Sequence, residues 1–182
     1  NAYPLGIQAV PDEDVVRIHS SSGTTGKPVI IPYTAKDVDD WAIMFARCYE
    51  TAGITKKDRI QITPGYGLWT AGIGFQAGCE KLGAMAVPLG PGNTEKQLQM
   101  MIDLQSTVIT ATSSYALLLA EEINRRGLKD KINLKKIMLK EEYKQEVPPL
   151  KQKMGELQQR FKQAKVPVIV LFEGWGASVS YT

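Results

Sequence analysis

Short apolar runs alternate with capped amphipathic segments along the first 139 residues, and that alternation constrains the fold more than any other feature. Val15–Ile18 and Val29–Tyr33 read as strands flanking a polar glycine loop. Thr34 is a good N-cap for a helix over Ala35–Ala52, with Gly53 at the position after its end. Val38, Trp41, Ala42, Phe45 and Tyr49 give that helix one apolar face. Arg59–Thr63 reads as a buried strand, and Gly65–Gly83 as a loop feeding a glycine-rich helix. Ala84–Leu89 is the next strand, and Thr94-Glu95-Lys96-Gln97 is a capping box opening a helix to Leu104. Thr107–Thr112 and Lys135–Leu139 are strands around a helix that Ser113 or Ser114 caps and Gly127 stops. Strands alternating with helices predict an α/β fold with a largely parallel sheet flanked by helices.

Beyond Leu139 the pattern changes. From Lys140 the chain is rich in Lys, Gln and Glu, with Val147, Leu150, Met154, Leu157, Phe161 and Ala164 on a helical seam. That seam is too short to argue for a coiled coil, and its charges read as a solvated face. Val166–Phe172 is an apolar strand, so 140–182 is expected to be a helix–strand appendage. The two parts suggest a boundary near Leu139, with residues 1–139 as one unit.

Composition removes several classes of function. A net charge of +3, unclustered over 182 residues, supplies no basic stripe for nucleic acid. No apolar run approaches the ~18–20 residues that span a bilayer. Cys48, Cys79 and His19 are the only cysteines and histidine, and they form no metal-ligand spacing. The thiols suit a reducing compartment, so a cytoplasmic location is expected. No leader is visible, and a start at Asn1 instead of Met suggests a fragment.

The loop Ser20-Ser21-Ser22-Gly23-Thr24-Thr25-Gly26-Lys27-Pro28 carries the chemistry. Gly23 and Gly26 can take positive φ and admit an anion close to the backbone, where successive N–H groups form a nest. Ser21, Ser22, Thr24 and Thr25 add hydroxyl donors, and Lys27 adds a mobile cation. It is not a Walker A loop. Ser21 stands where that motif needs its first Gly, Pro28 stands where it needs Ser or Thr, and a strand follows instead of a helix. A Ser/Gly/Thr surface turn is the bland alternative, but it gives no reason for Lys-Pro to follow the second Gly. Gly72-Ile73-Gly74-Phe75-Gln76-Ala77 matches a dinucleotide fingerprint in letters only. Pro64–Ala71 separate it from the preceding strand, and small residues at Gly74 and Gly78 are better read as close helix packing. His19 beside the loop could touch phosphate, though a hydrogen-bonded structural role is favoured.

Ser-Ser-Gly-Thr-Thr-Gly-Lys-Pro resembles the phosphate loop of adenylate-forming enzymes. Arg17-Ile18-His19, Gly65-Tyr66-Gly67-Leu68, Gly92-Asn93-Thr94-Glu95 and Ser106-Thr107-Val108-Ile109-Thr110, in that order, are similar to phenylacetate–CoA ligases. The resemblance covers about Tyr3–Leu139. It implies that an aryl acid attacks the α-phosphate of ATP, and that CoA thiolate then displaces AMP. Charge builds on phosphate oxygens, so such catalysis relies on preorganised donors and Mg²⁺. By motif, Ser21, Ser22, Gly23, Thr24, Thr25, Gly26 and Lys27 would hold the β- and γ-phosphates, with Lys27, Thr24 and Thr25 closest to the chemistry.

Tyr66–Gly74 would line the acid pocket through Tyr66, Trp69, Gly72 and Gly74, although Tyr66 and Trp69 suit core packing equally well. Pro64, where relatives commonly have Tyr, leaves phenylacetate, a hydroxyphenylacetate and an indole acid all open. The implied partners are an aryl acid, ATP with Mg²⁺, and CoA, whose site lies elsewhere; a homo-oligomer stays open. The tail, with Glu141-Glu142-Tyr143 and Val166–Trp175, resembles the start of a polyphosphate kinase. Val179-Ser180 stand there in place of the Gly-Lys that holds phosphate. The reading is thus a ligase segment joined to a second fragment, and the chain alone is expected to turn over neither reaction. A non-catalytic phosphate-binding module and a polyphosphate-dependent kinase are the alternatives. Pyrophosphate release on adding ATP, Mg²⁺ and an aryl acid would discriminate them.

Overall fold

The computed structural model describes residues 3–6, 8–21, 26–140 and 168–171. They fall into two compact units, 1–93 and 94–182. The expected tail helix lies outside the described residues.

The first unit begins with β1 (Val15–Ser20) and β2 (Ile30–Thr34), then α1 (Ala35–Thr51), β3 (Arg59–Ile62), α2 (Ala71–Leu82) and β4 (Met85–Pro88). β3 and β4 pair in parallel across α2, in register Arg59↔Met85 to Ile62↔Pro88. β1 and β2 do not join a parallel sheet. They form a two-stranded antiparallel hairpin, with Arg17↔Tyr33 and Ser20↔Ile30 as partners. The reason is length: the 21–29 connection is shorter than the roughly dozen residues a parallel crossover needs.

α1 starts where the sequence says it should. Thr34 Oγ1 accepts from the Asp37 N–H at 3.2 Å, and Asp37 Oδ2 accepts from the Thr34 N–H at 2.8 Å. This reciprocal box satisfies two donors that a helix start leaves without partners. The helix buries Trp41, Ala42, Ala46 and Tyr49, and the Tyr49 hydroxyl donates to the Phe75 carbonyl of α2 at 3.0 Å. Gly74 and Gly78 let α1 and α2 close. A Cβ on Gly78 would lie 2.3 Å from Phe45 Cβ, and one on Gly74 would lie 2.7 Å from Trp41 Cζ2.

The second unit runs α3 (Thr94–Asp103), β5 (Val108–Thr112), α4 (Ser113–Arg125), β6 (Lys136–Lys140) and β7 (Val168–Leu171). α3 starts at Thr94 itself, directly after Asn93 at φ 48°. β5, β6 and β7 are parallel, with Ile109↔Ile137 and Ile137↔Val168 in register. Leu98, Met101, Ile109, Ala111, Ala116, Leu119, Ile123 and Ile137 make its core. The fold is α/β, with parallel strands and covering helices. Among the described residues no helix is long and apolar enough to cross a membrane.

Candidate functional site

The hairpin carries the glycine loop at its tip, between two strands as the sequence requires. Its neck is closed by Ser21, whose N–H donates to the Val29 carbonyl at 3.0 Å and whose Oγ accepts from the Val29 N–H at 2.9 Å. One lone pair of Ser21 is therefore committed to the neck, while its hydroxyl proton is still free to donate outward. Gly26 does not use the left-handed region, and no described residue lies within 4 Å of where its Cβ would be. Lys27 is exposed, and its Nζ rests 5.1 Å from the centroid of the Tyr3 ring. An ammonium over a half-open ring is weakly held and can be drawn away by an anion. Ser22, Gly23, Thr24 and Thr25 lie outside the described residues.

The turn before α2 docks beside that neck. The Leu68 carbonyl accepts from the Ser20 N–H at 2.9 Å and lies 3.0 Å from His19 Nδ1. A carbonyl can only accept, so Nδ1 carries the proton and Nε2 is the bare nitrogen. Gly67 makes the turn feasible at φ 123°, where a side chain would be strained. At Gly72 a Cβ would meet the Gly65 carbonyl oxygen at 2.6 Å, and the Gly72 N–H donates to that oxygen at 3.1 Å. Gly72 and Gly74 thus shape this region by close approach of backbone and helix. Tyr66 and Trp69 remain 39% and 37% exposed, enough for both rings to meet a ligand. Partial burial, and then Glu80 and Cys79, push the Tyr66 phenol up to about 12, so it stays protonated at neutral pH.

His19 is 1% exposed. Tyr33 and Trp41 meet its ring edge-on, at centroid distances of 5.2 and 5.3 Å. Burial holds its pKa below 6.5; the Leu68 bond opposes this and the Arg17 charge adds to it. Arg17 itself lies over Trp41 at 5.7 Å. The structural role favoured for His19 is the one it has. The Leu68 carbonyl was not legible, because a backbone acceptor carries no side-chain signature. Among the described residues no group of three or more His, Cys, Asp or Glu could hold a metal.

No protein-family model matches the chain. Phenylacetate-coenzyme A ligase of Pseudomonas putida is 48% identical over 126 residues, which are 69% of this chain and 29% of that protein. The Escherichia coli K12 ligase of the same name is 50% identical over 124 residues, 68% of this chain and 28% of its own length. The chain therefore spans under a third of the curated relatives it matches. Among solved structures, a 2-hydroxyisobutyryl-CoA ligase in complex with 2-HIB-AMP and CoA is similar at TM-score 0.71 and 26% identity, covering 91% of this chain and 34% of that one. An Archaeoglobus fulgidus long-chain-fatty-acid-CoA ligase matches in fold at TM-score 0.58 and 18% identity, covering 89% and 32%. Nothing in these comparisons supports the tail's likeness to a polyphosphate kinase. Over 69% of its length the chain is similar to phenylacetate–CoA ligases, and it carries the α/β architecture of the adenylate-forming enzymes' N-terminal domain.

Proposed function

We propose that the chain supplies the phosphate loop and part of the acid pocket of an AMP-forming, phenylacetate-type acid–CoA ligase. One observation carries this reading most directly. The turn bearing Tyr66 and Trp69 is hydrogen-bonded to the last residues of β1, so a donor-rich loop and two exposed rings share one neighbourhood.

In the proposed reaction the carboxylate oxygen attacks the α-phosphorus of ATP, and the bond to pyrophosphate breaks. CoA thiolate then attacks the acyl carbon and AMP leaves. Lys27 leaves the Tyr3 ring to neutralise β- and γ-phosphate oxygens, with Ser21, Ser22, Thr24 and Thr25 donating hydroxyl protons to them. Thr24, Thr25 and Lys27 carry the catalytic roles in this reading. No described residue obstructs the face at Gly26, which fits a bulky anion against the backbone. Mg²⁺ brought in with ATP would offset charge on the phosphates, and no described residue is assigned to hold it. Tyr66, as a neutral phenol, can donate to the acid, and the Trp69 indole packs on its aryl ring. Gly72 contributes by admitting the Gly65 carbonyl of the turn, and Gly74 by letting α1 close on α2. Residues 1–139 are the ligase segment in this reading, with 140–182 as an appendage.

Competition binding tests the reading. ATP with Mg²⁺ should bind the 182-residue chain and be displaced by pyrophosphate more readily than by AMP, because the loop grips the β- and γ-phosphates. No ATP binding, or displacement by AMP alone, overturns it. Quenching of Trp69 by phenylacetate, a hydroxyphenylacetate or an indole acid then ranks the acids.

A further inference from the structure

We infer that His19 is a positioning residue that couples the state of the glycine loop to the placement of Trp69, acting through the Leu68 carbonyl. The inference rests on the phosphate-loop reading above and adds a residue that the reading does not use.

Two consecutive residues at the end of β1 aim their donors at one oxygen: the Ser20 N–H at 2.9 Å and His19 Nδ1 at 3.0 Å. On the loop side, Ser20 is followed by Ser21, which closes the neck on Val29 with two hydrogen bonds. On the turn side, the Leu68 carbonyl lies in the same rigid peptide plane as the Trp69 nitrogen and Cα. Fixing that oxygen therefore fixes the direction in which Trp69 leaves the turn. A shift of the neck when an anion enters the loop is passed on through one peptide unit.

Neither Gly67 nor Leu68 holds the turn at this point through a side chain. The Leu68 side chain is 57% exposed, so its burial does not anchor the turn, and Gly67 before it adds no side chain at all. The imidazole, by contrast, cannot rotate away. It is 1% exposed and boxed edge-on by Tyr33 and Trp41. Its Nε2 is buried with no hydrogen-bond partner among the described residues. The ring's polar contribution is thus concentrated on the single bond to Leu68, which a purely space-filling residue would not supply.

The test uses ¹⁵N-labelled 182-residue chain as wild type, His19→Phe and His19→Asn, with inorganic tripolyphosphate as the probe. Phe keeps a ring against Tyr33 and Trp41 but has no donor, whereas the Asn amide can donate from near the Nδ1 position. Without probe, His19→Phe should lose roughly tenfold of the exchange protection of the Ser20 amide, and His19→Asn should keep it. With probe, the Ser21, Gly26 and Lys27 amides and the Trp69 indole should shift together in the wild type and in His19→Asn. In His19→Phe the loop should respond while Trp69 stays still. A Trp69 response that survives in His19→Phe, or unchanged Ser20 protection there, overturns the coupling. A wild-type loop silent to tripolyphosphate overturns the phosphate reading and the coupling with it. If His19→Phe does not fold, the wild-type imidazole spectrum decides: protonated Nε2 with bare Nδ1 overturns the role, and the reverse supports it.

Discussion

A Cβ on Gly78 would lie 2.3 Å from the Cβ of Phe45 and 2.9 Å from its backbone carbon, whereas one on Gly26 would meet no described residue within 4 Å. Both residues sit in glycine-bearing stretches, yet they do different work. Between α1 and α2 the space left by glycine is filled by Phe45 and Trp41, and the missing side chain contributes packing. At Gly26 no described residue fills the space, and the missing side chain leaves access to the backbone. The same letter therefore encodes stability in one place and a binding surface in the other. Only the neighbours decide which.

The largest effect should come from filling the closed space. Gly78→Ala pushes α1 backbone away from α2 and should destabilise the fold by about 3 kcal/mol, the upper end for overpacking. Gly26→Ala should stay within about 0.5 kcal/mol of wild type, as surface changes do. Urea midpoints of the two variants test the contrast, and equal losses would erase it. Next in size is Lys27→Ala, which removes a charge-assisted contact and should weaken ATP binding by about 1.5–3 kcal/mol. Its melting should be unchanged, because Lys27 is exposed. An ATP titration that cannot tell this variant from wild type would show that the open tip is not a phosphate site.

Smaller still is the cap that joins the two regions. Thr34→Ala removes the Thr34–Asp37 box between β2 and α1 and should cost about 1 kcal/mol, read by thermal melting. A loss far above this would mean that the hairpin itself depends on the cap. The weakest effect is a pH dependence. His19 is held below 6.5 in the folded chain by burial, while the unfolded chain takes its proton near that value. Its contribution is therefore intact above 6.5 and is lost as pH falls below it. Urea unfolding across that window should show a downward slope that His19→Asn flattens; an identical slope in the variant would assign it to other groups.

These contrasts also mark what the sequence could say. The Thr34 cap, the apolar face of α1, the Gly53 and Gly127 ends and the strand positions follow from local chemistry, and they appear within a residue or two of expectation. Placing the glycine loop between two strands was equally legible. The antiparallel pairing of β1 with β2 was not drawn from the pattern, although the short connection dictated it. Gly72 and Gly74 look alike whether a ligand or a helix approaches them, and here it is the Gly65 carbonyl and the Trp41 and Phe45 rings. The meeting of His19, Ser20 and Leu68 joins residues far apart in sequence through a backbone oxygen, which periodicity cannot reveal.

The central claim is that this segment serves an aryl-acid–CoA ligase. Its most direct test is to replace the matching segment of the Escherichia coli relative with the corresponding residues of this chain. The account predicts a folded chimera that forms phenylacetyl-CoA and releases pyrophosphate and AMP within roughly tenfold of the parent rate, a barrier change of about 1.4 kcal/mol. A soluble, folded chimera that binds ATP but releases no pyrophosphate on addition of phenylacetate would contradict it.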